Sequence, residues 1–236
     1  MVFMPVSSSV AVVLAVKRLD AAKSRLAAVV PDDRRRGLVA AMLADTLGAV
    51  EEAGFAAVTV VTPDPRVAEV VAEFGARTLD EPARGDLSPL NAALLHGIDD
   101  VRPTADLVAA LQADLAALDA PALTEAIDAA AAVIARGADA AFVADRSGAG
   151  TALLVVRASA AFTPRFGPDS AAAHREAGAV ELDPAHRRWA RLRTDVDTPD
   201  DLSVAVELGL GPRTRDALDS VADIARSDTD GVFLRR

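Results

Sequence analysis

Every position from Val10 to Val16 is apolar, and Lys17, Arg18, Lys23 and Arg25 follow within nine residues. An unbroken apolar run of this length predicts a strand buried on both faces that delivers its cations to the edge of a sheet. Pro31-Asp32-Asp33 has the chemistry of a helix start, and the spacing predicts a helix to about Glu52, ending at Gly54. Leu38, Met42, Leu43, Thr46, Leu47 and Val50 recur at intervals of three and four, so one face of it is core. A second strand, Val58 to Val61, is closed by Thr62-Pro63-Asp64-Pro65. A helix from about Arg66 to Phe74, a turn at Gly75 and a short strand from Arg77 to Leu79 follow. This alternation predicts a mainly parallel sheet with helices on both faces.

Residues 80 to 89 carry turn signals throughout. Beyond them lie a helix from about Leu90 to Ile98 and an apolar strand, Leu107 to Leu111, that runs into Gln112-Ala113-Asp114. Ligands in open α/β sheets bind beyond the carboxyl ends of strands, so Asp114 reads equally as a ligand-facing acid or as a turn residue. A helix spans Pro121 to Arg136, with Gly137 after it, and a strand spans Ala141 to Ala144. The Gly-rich loop from Asp145 to Gly150 leads into a strand from Thr151 to Val156. Such a loop suits close approach of an anion, and a hairpin turn needs the same residues.

Arg165-Phe166-Gly167-Pro168-Asp169-Ser170 precedes a helical stretch, Ala171 to Ala177. Ser170 is expected to cap that helix, leaving amides for a phosphate, with His174 four residues on and on the same side. As a lone histidine, His174 reads as a surface or packing residue, and His96 and His186 as structural. A strand-like segment, Ala179 to Leu182, precedes Arg193-Thr194-Asp195-Val196-Asp197-Thr198-Pro199-Asp200-Asp201. In an extended segment Asp195 and Asp197 face one side together, while Thr198, Asp200 and Asp201 suit the first turn of a helix to about Leu208. Arg34, Arg35 and Arg36 read as a solvated first turn rather than a second basic site. Residues 1 to 8 read as a loose leader. With no internal repeat or linker, one domain over residues 9 to 212 is expected, followed by a helix and charged tail over 213 to 236.

Composition narrows the function. The 236 residues are 51% apolar, largely Ala, with seven Phe, one Trp and no Tyr, which leaves few platforms on which bases could stack. A net charge of −10 argues against a general nucleic-acid surface and makes the cationic loop stand out. The absence of Cys excludes disulfides, a thiol nucleophile and zinc-thiolate sites, and fits a cytoplasmic protein. The apolar run at Val10 lacks a basic segment before it and falls far short of the ~20 residues that span a bilayer.

The cationic loop, anion-suited stretches at 148 to 151 and 167 to 170, and acids at 114, 195 and 197 have one account in common. Carboxylates suit Mg²⁺ shared with substrate phosphates, and two anion sites imply two phosphorylated substrates. A phosphate oxygen is already an anionic nucleophile at neutral pH, so such a reaction calls for positioning and charge neutralisation more than for acid or base side chains.

The segment Ala15-Val16-Lys17-Arg18-Leu19-Asp20-Ala21-Ala22-Lys23-Ser24-Arg25-Leu26 resembles the N-terminal signature of the CofC/FbiD guanylyltransferases of deazaflavin coenzyme (F-420) biosynthesis. Pro89-Leu90-Asn91, Ala144-Asp145-Arg146 running to Gly150-Thr151, Arg165 to Ser170, and Asp195-Val196-Asp197-Thr198-Pro199 agree in order, over roughly residues 10 to 212. The resemblance implies a Rossmann-like nucleotidyltransferase fold and transfer of GMP from GTP to a three-carbon phosphoacid with release of pyrophosphate. It implies that Lys17, Lys23 and Arg25 hold the GTP phosphates and that Pro89, Leu90 and Asn91 lie along the guanine. Asp114, Asp195 and Asp197 would bind Mg²⁺, and Thr151, Gly167 and Ser170 the acceptor phosphate. Similarity to actinobacterial members favours phosphoenolpyruvate, with 2-phospho-L-lactate and 3-phosphoglycerate as alternatives and hand-off of the product to the next pathway transferase. A molybdopterin or sugar-phosphate nucleotidyltransferase and a non-catalytic GTP-binding protein remain the other readings. Two departures stand out. Ala113-Asp114-Leu115-Ala116 replaces the usual Gly-Asp-Leu-Pro, and Ser88 replaces an Asp before the Pro-Leu-Asn segment.

Overall fold

The computed structural model describes residues 9–19, 23–55, 57–83 and 85–220. Seven strands form one sheet: β1 (Val10–Ala15), β2 (Ala57–Val61), β3 (Arg77–Leu79), β4 (Leu107–Leu111), β5 (Ala140–Ala144), β6 (Thr151–Arg157) and β7 (Val180–Glu181). Their spatial order is β3-β2-β1-β4-β6-β5-β7. All neighbours are parallel except β6, which runs antiparallel to β4 and β5. The expected mainly parallel mixed sheet is therefore present.

Helices α1 (Asp32–Glu52), α2 (Pro65–Glu73), α3 (Pro89–Val101), α4 (Ala120–Ala135), α5 (Ser170–Glu176), α6 (Ala190–Arg193) and α7 (Pro199–Leu208) cover the sheet. Residues 212–220 are also helical, whereas residues 1 to 8 and the tail from 221 lie outside the described residues. The six periodic positions of α1 are all buried, as the pattern requires. Helix starts follow local chemistry: Asp64 accepts from the Arg66 amide at 3.0 Å, and Thr198 and Asp201 form a reciprocal capping box. Ser170 differs from expectation. Asp169, in the left-handed region at φ 55°, occupies the N-cap without a side-chain bond, and Ser170 is the first helical residue.

Strand side chains alternate between two cores. Val12, Leu14, Leu107, Ala109, Leu111, Leu153 and Val155 enter the larger one with α1, α2 and α4. Ala11, Val13, Val108, Ala110, Leu154 and Val156 enter the smaller one under α3 and α5. Burying each Leu or Val fully contributes about 1.5–3 kcal/mol. Helix α3 lies so close to the sheet that a Cβ at Gly97 would sit 2.6 Å from Val13 Cγ1, so glycine is required there.

The chain proceeds from β1 outward to β2 and β3, then returns to place β4 on the other side of β1. In open α/β sheets such a reversal is where ligands bind, here beyond the carboxyl ends of β1 and β4. Because β6 is antiparallel to β4, its first residue, Thr151, lies at the same edge.

Candidate active site

The cationic loop leaves β1 and crosses that edge. Leu19 is buried and its amide donates to Asp64 Oδ2 at 2.9 Å, which ties the loop to the start of α2. Lys23 adopts φ 55° and ψ 42°. This left-handed conformation costs a non-glycine residue roughly 1–2 kcal/mol and turns the ammonium inward. Nζ contacts Asp114 Oδ2 and reaches Asp197 Oδ1 at 2.6 Å. Burial opposes the lysine's charge, but Asp114 and Asp197 outweigh it and raise its pKa above the ordinary value. Lys17 and Arg25 are exposed.

Asp114 stands just beyond β4, and the segment carrying Asp195 and Asp197 is stitched to it, since the Val196 amide donates to the Asp114 carbonyl at 3.3 Å. Val196 is fully buried between the two acids, whereas Asp195 is half-buried and Asp197 exposed. Burial, then Asp114 and Asp197, push the Asp195 carboxyl up to about 7. Asp145 adds to that repulsion, although the sequence pattern did not single it out as an acid of the site.

Arg193, also missed by pattern, anchors this segment from beneath. Its buried guanidinium donates to the carbonyls of Ala144 at 2.7 Å and Asp183 at 3.0 Å, and to Asp183 Oδ2 at 3.2 Å. Its Nε donates to the Arg188 carbonyl at 3.0 Å, but its other partners lie at or just beyond the ends of β5 and β7, far enough along the chain that no local pattern marks it.

Asp114 Oδ1 is buried without a hydrogen-bond partner, and the Lys23 ammonium bridges the other Asp114 oxygen to Asp197. An orphaned carboxylate oxygen beside an already bridging cation fits a hard divalent ion. Among the described residues no three acidic or histidine side chains converge on one point. The donor set therefore suits an ion held by one or two carboxylates and completed by phosphate oxygens and water.

A second polar cluster lies at the start of β6. Thr151 and Ser170 are each about 1% exposed, with their hydroxyl oxygens 3.1 Å apart. The amide-rich sites expected around them are largely occupied. The Gly148 amide donates to the Asp145 carbonyl, the Ala149 amide to Ser147 Oγ, the Ser170 amide to the Gly167 carbonyl and the Ala171 amide to the Ala149 carbonyl. The 145–150 loop is thus a β5–β6 hairpin, and the hydroxyls, not helix-end amides, are the cluster's polar feature. Gly167 has φ 128°, which only glycine adopts readily, and a Cβ there would meet nothing within 4 Å.

The segment 89–91 divides its roles. Pro89 lines a cleft of about 330 Å³ with Glu81, Pro82, Leu87 and Ala92, while Leu90 packs against the smaller core. Asn91 is buried with its amide committed: Nδ2 donates to Ser88 Oγ at 2.9 Å and to the Phe166 carbonyl at 2.9 Å, and Oδ1 accepts from the Phe166 amide at 2.7 Å. It joins α3 to the 165–170 loop. Ser88 caps α3, a role the Asp it replaces also performs well.

Phosphoenolpyruvate guanylyltransferase of Mycobacterium ulcerans is 46% identical over 88% of this chain and 93% of its own length. Its namesake in Mycobacterium sp. strain KMS is 49% identical over 91% and 94%. Among solved structures, a cytidylyltransferase from Leptospira borgpetersenii superposes with a TM-score of 0.56 at 16% identity, covering 93% of this chain and 96% of that one, a likeness of nucleotidyltransferase fold. The sequence model of the family described as "Guanylyl transferase CofC like" matches residues 10–229, and the chain belongs to that family.

Proposed function

We propose that this chain transfers GMP from GTP to the phosphate of phosphoenolpyruvate and releases pyrophosphate. The observation that carries this reading is the name shared by relatives 46–49% identical over nearly the whole chain. The site supports it, because it sets an acid–lysine cluster beside a pair of buried hydroxyls at one edge of the sheet. A phosphate oxygen of the acceptor forms a bond to the α-phosphorus, and the bond from that phosphorus to the bridging oxygen breaks. Pyrophosphate departs with the electron pair. No side chain need take a proton, since the nucleophile is already ionised.

Lys17, Lys23 and Arg25 offset the charge growing on the leaving pyrophosphate. Thr151, Gly167 and Ser170 hold the acceptor, Pro89 and Leu90 lie on the guanine side, and Asn91 fixes that side relative to the acceptor loop. Of the three acids Asp114, Asp195 and Asp197, one or two would hold Mg²⁺, with Asp114 offering its orphaned Oδ1, and the ion when bound would polarise phosphate oxygens as a Lewis acid. The place of this reaction in deazaflavin coenzyme synthesis, a cytoplasmic setting and hand-off to a following transferase belong to the same proposal. Among the described residues no helix is long and apolar enough to cross a membrane.

Pyrophosphate release from GTP and Mg²⁺, measured in parallel with phosphoenolpyruvate, 2-phospho-L-lactate and 3-phosphoglycerate, tests the reading. Phosphoenolpyruvate is expected to support the fastest release. Faster release with another acceptor would overturn the substrate assignment, and GTP binding without release for any of them would make the protein a binder rather than a catalyst.

A further inference from the structure

His174 is fully buried on α5 and is used by none of the steps above. Its ring lies among Phe142, Phe162 and Phe166, with centroids 5.7, 6.2 and 5.4 Å away. Yet both ring nitrogens are bonded. The Arg165 backbone N–H lies 2.9 Å from Nε2, and Thr151 Oγ1 lies 2.9 Å from Nδ1. A backbone amide can only donate, so Nε2 carries the lone pair. In a neutral ring the proton then sits on Nδ1 and is donated to Thr151. Ser170 Oγ also donates to Thr151 Oγ1, at 3.1 Å. With two bonds accepted, the threonine oxygen has its own proton left to give.

The same histidine fixes one residue of the acceptor loop, and Asn91 fixes the next through the Phe166 amide and carbonyl. The loop therefore hangs from two buried side chains just before Gly167. We propose that His174 is a positioning residue for the acceptor: its single tautomer leaves the Thr151 hydroxyl as a donor and holds the Arg165 end of the loop in place. The inference rests on the acceptor reading given above. Burial, with the nearby Arg165 charge adding to it, lowers the His174 pKa to about 4, so the ring stays neutral at working pH.

Three variants and one spectrum test this. In His174→Phe the aromatic packing is kept while both hydrogen bonds are lost. Loss of a bond to a buried polar partner corresponds to roughly tenfold or more, so the acceptor KM should rise by that factor while the GTP KM stays within about twofold. The amide of His174→Asn takes the place of Nδ1 and should recover much of the acceptor KM. His174→Gln, whose amide replaces Nε2, should recover less. Equal rises in both KM values, or a His174→Phe enzyme with the wild-type acceptor KM, would overturn the proposal. Nitrogen NMR of histidine-labelled wild-type protein should show a neutral ring protonated at Nδ1, and protonation at Nε2 would overturn it whether or not the variants fold. Wild-type protein inactive with every phosphoacid removes the proposed function and this role together, whereas an active wild type with unselective variants removes this role alone.

Discussion

Lys23 shows how a single residue can hold the site together before any substrate arrives. Its ammonium neutralises Asp114 and Asp197, which would otherwise repel each other and Asp195. Lys23→Met keeps the length of the stem and removes the charge. Its kcat/KM is expected to fall about a hundredfold or more, the usual cost of losing one stabilising group at a developing negative charge. Added Mg²⁺ should raise its melting temperature more than that of the wild type, because the carboxylates then lack another counter-ion. Steady-state rates and thermal melts check both, and unchanged turnover would remove Lys23 from the site. Lys23 and Asp114 were legible in the sequence because they lie just past apolar strands, and Asp195 and Asp197 because they alternate ahead of a helix cap, whereas Asp145 was hidden in a hairpin turn. The partners of Asn91 and His174 were not, because their polar atoms bond to residues far away along the chain.

At the scale of elements, Asp64 links the cationic loop to the sheet. It caps α2 and accepts the Leu19 amide, so the loop's path depends on a residue at the end of β2. Burial alone would raise its pKa, but bonds from Arg66 and the Leu19 amide overcome this and hold it at about 2. A carboxyl lowered in the folded state stabilises the fold above its ordinary pKa of about 4, and that contribution disappears as pH falls from about 4 towards about 2. Asp64→Asn is therefore expected to cost about 1–2 kcal/mol at neutral pH and to flatten the acid limb of the stability curve. At this chain length that corresponds to roughly 2–4 °C of melting temperature per kcal/mol. Melts across pH check it, and an acid limb unchanged in the variant would contradict it. The capped helices were legible from Asp64-Pro65 and Thr198-Pro199. Helix α6 was not, because it spans four residues, is preceded by Trp189 in the left-handed region as its N-cap, and is fixed by Arg193 through distant carbonyls.

Across the whole molecule, distant segments meet because the strand order reverses beside β1. The loop after β1, the acid after β4, the first residue of β6 and the 195–197 segment thereby reach one edge of the sheet. The alternation of strands and helices made the parallel half legible. The antiparallel β6 was harder to read, since an apolar run carries no direction and only the hairpin glycines hint at it. Under the proposed function, one substrate's phosphate meets the α-phosphorus of the other at that shared edge, and this meeting is the central claim. It is tested most directly by following α-phosphorus-labelled GTP incubated with Mg²⁺ and phosphoenolpyruvate. The label should appear in a new compound that joins GMP to phosphoenolpyruvate through their phosphates, in step with unlabelled pyrophosphate. Label remaining in GTP, or found only in free GMP or GDP, would contradict the account.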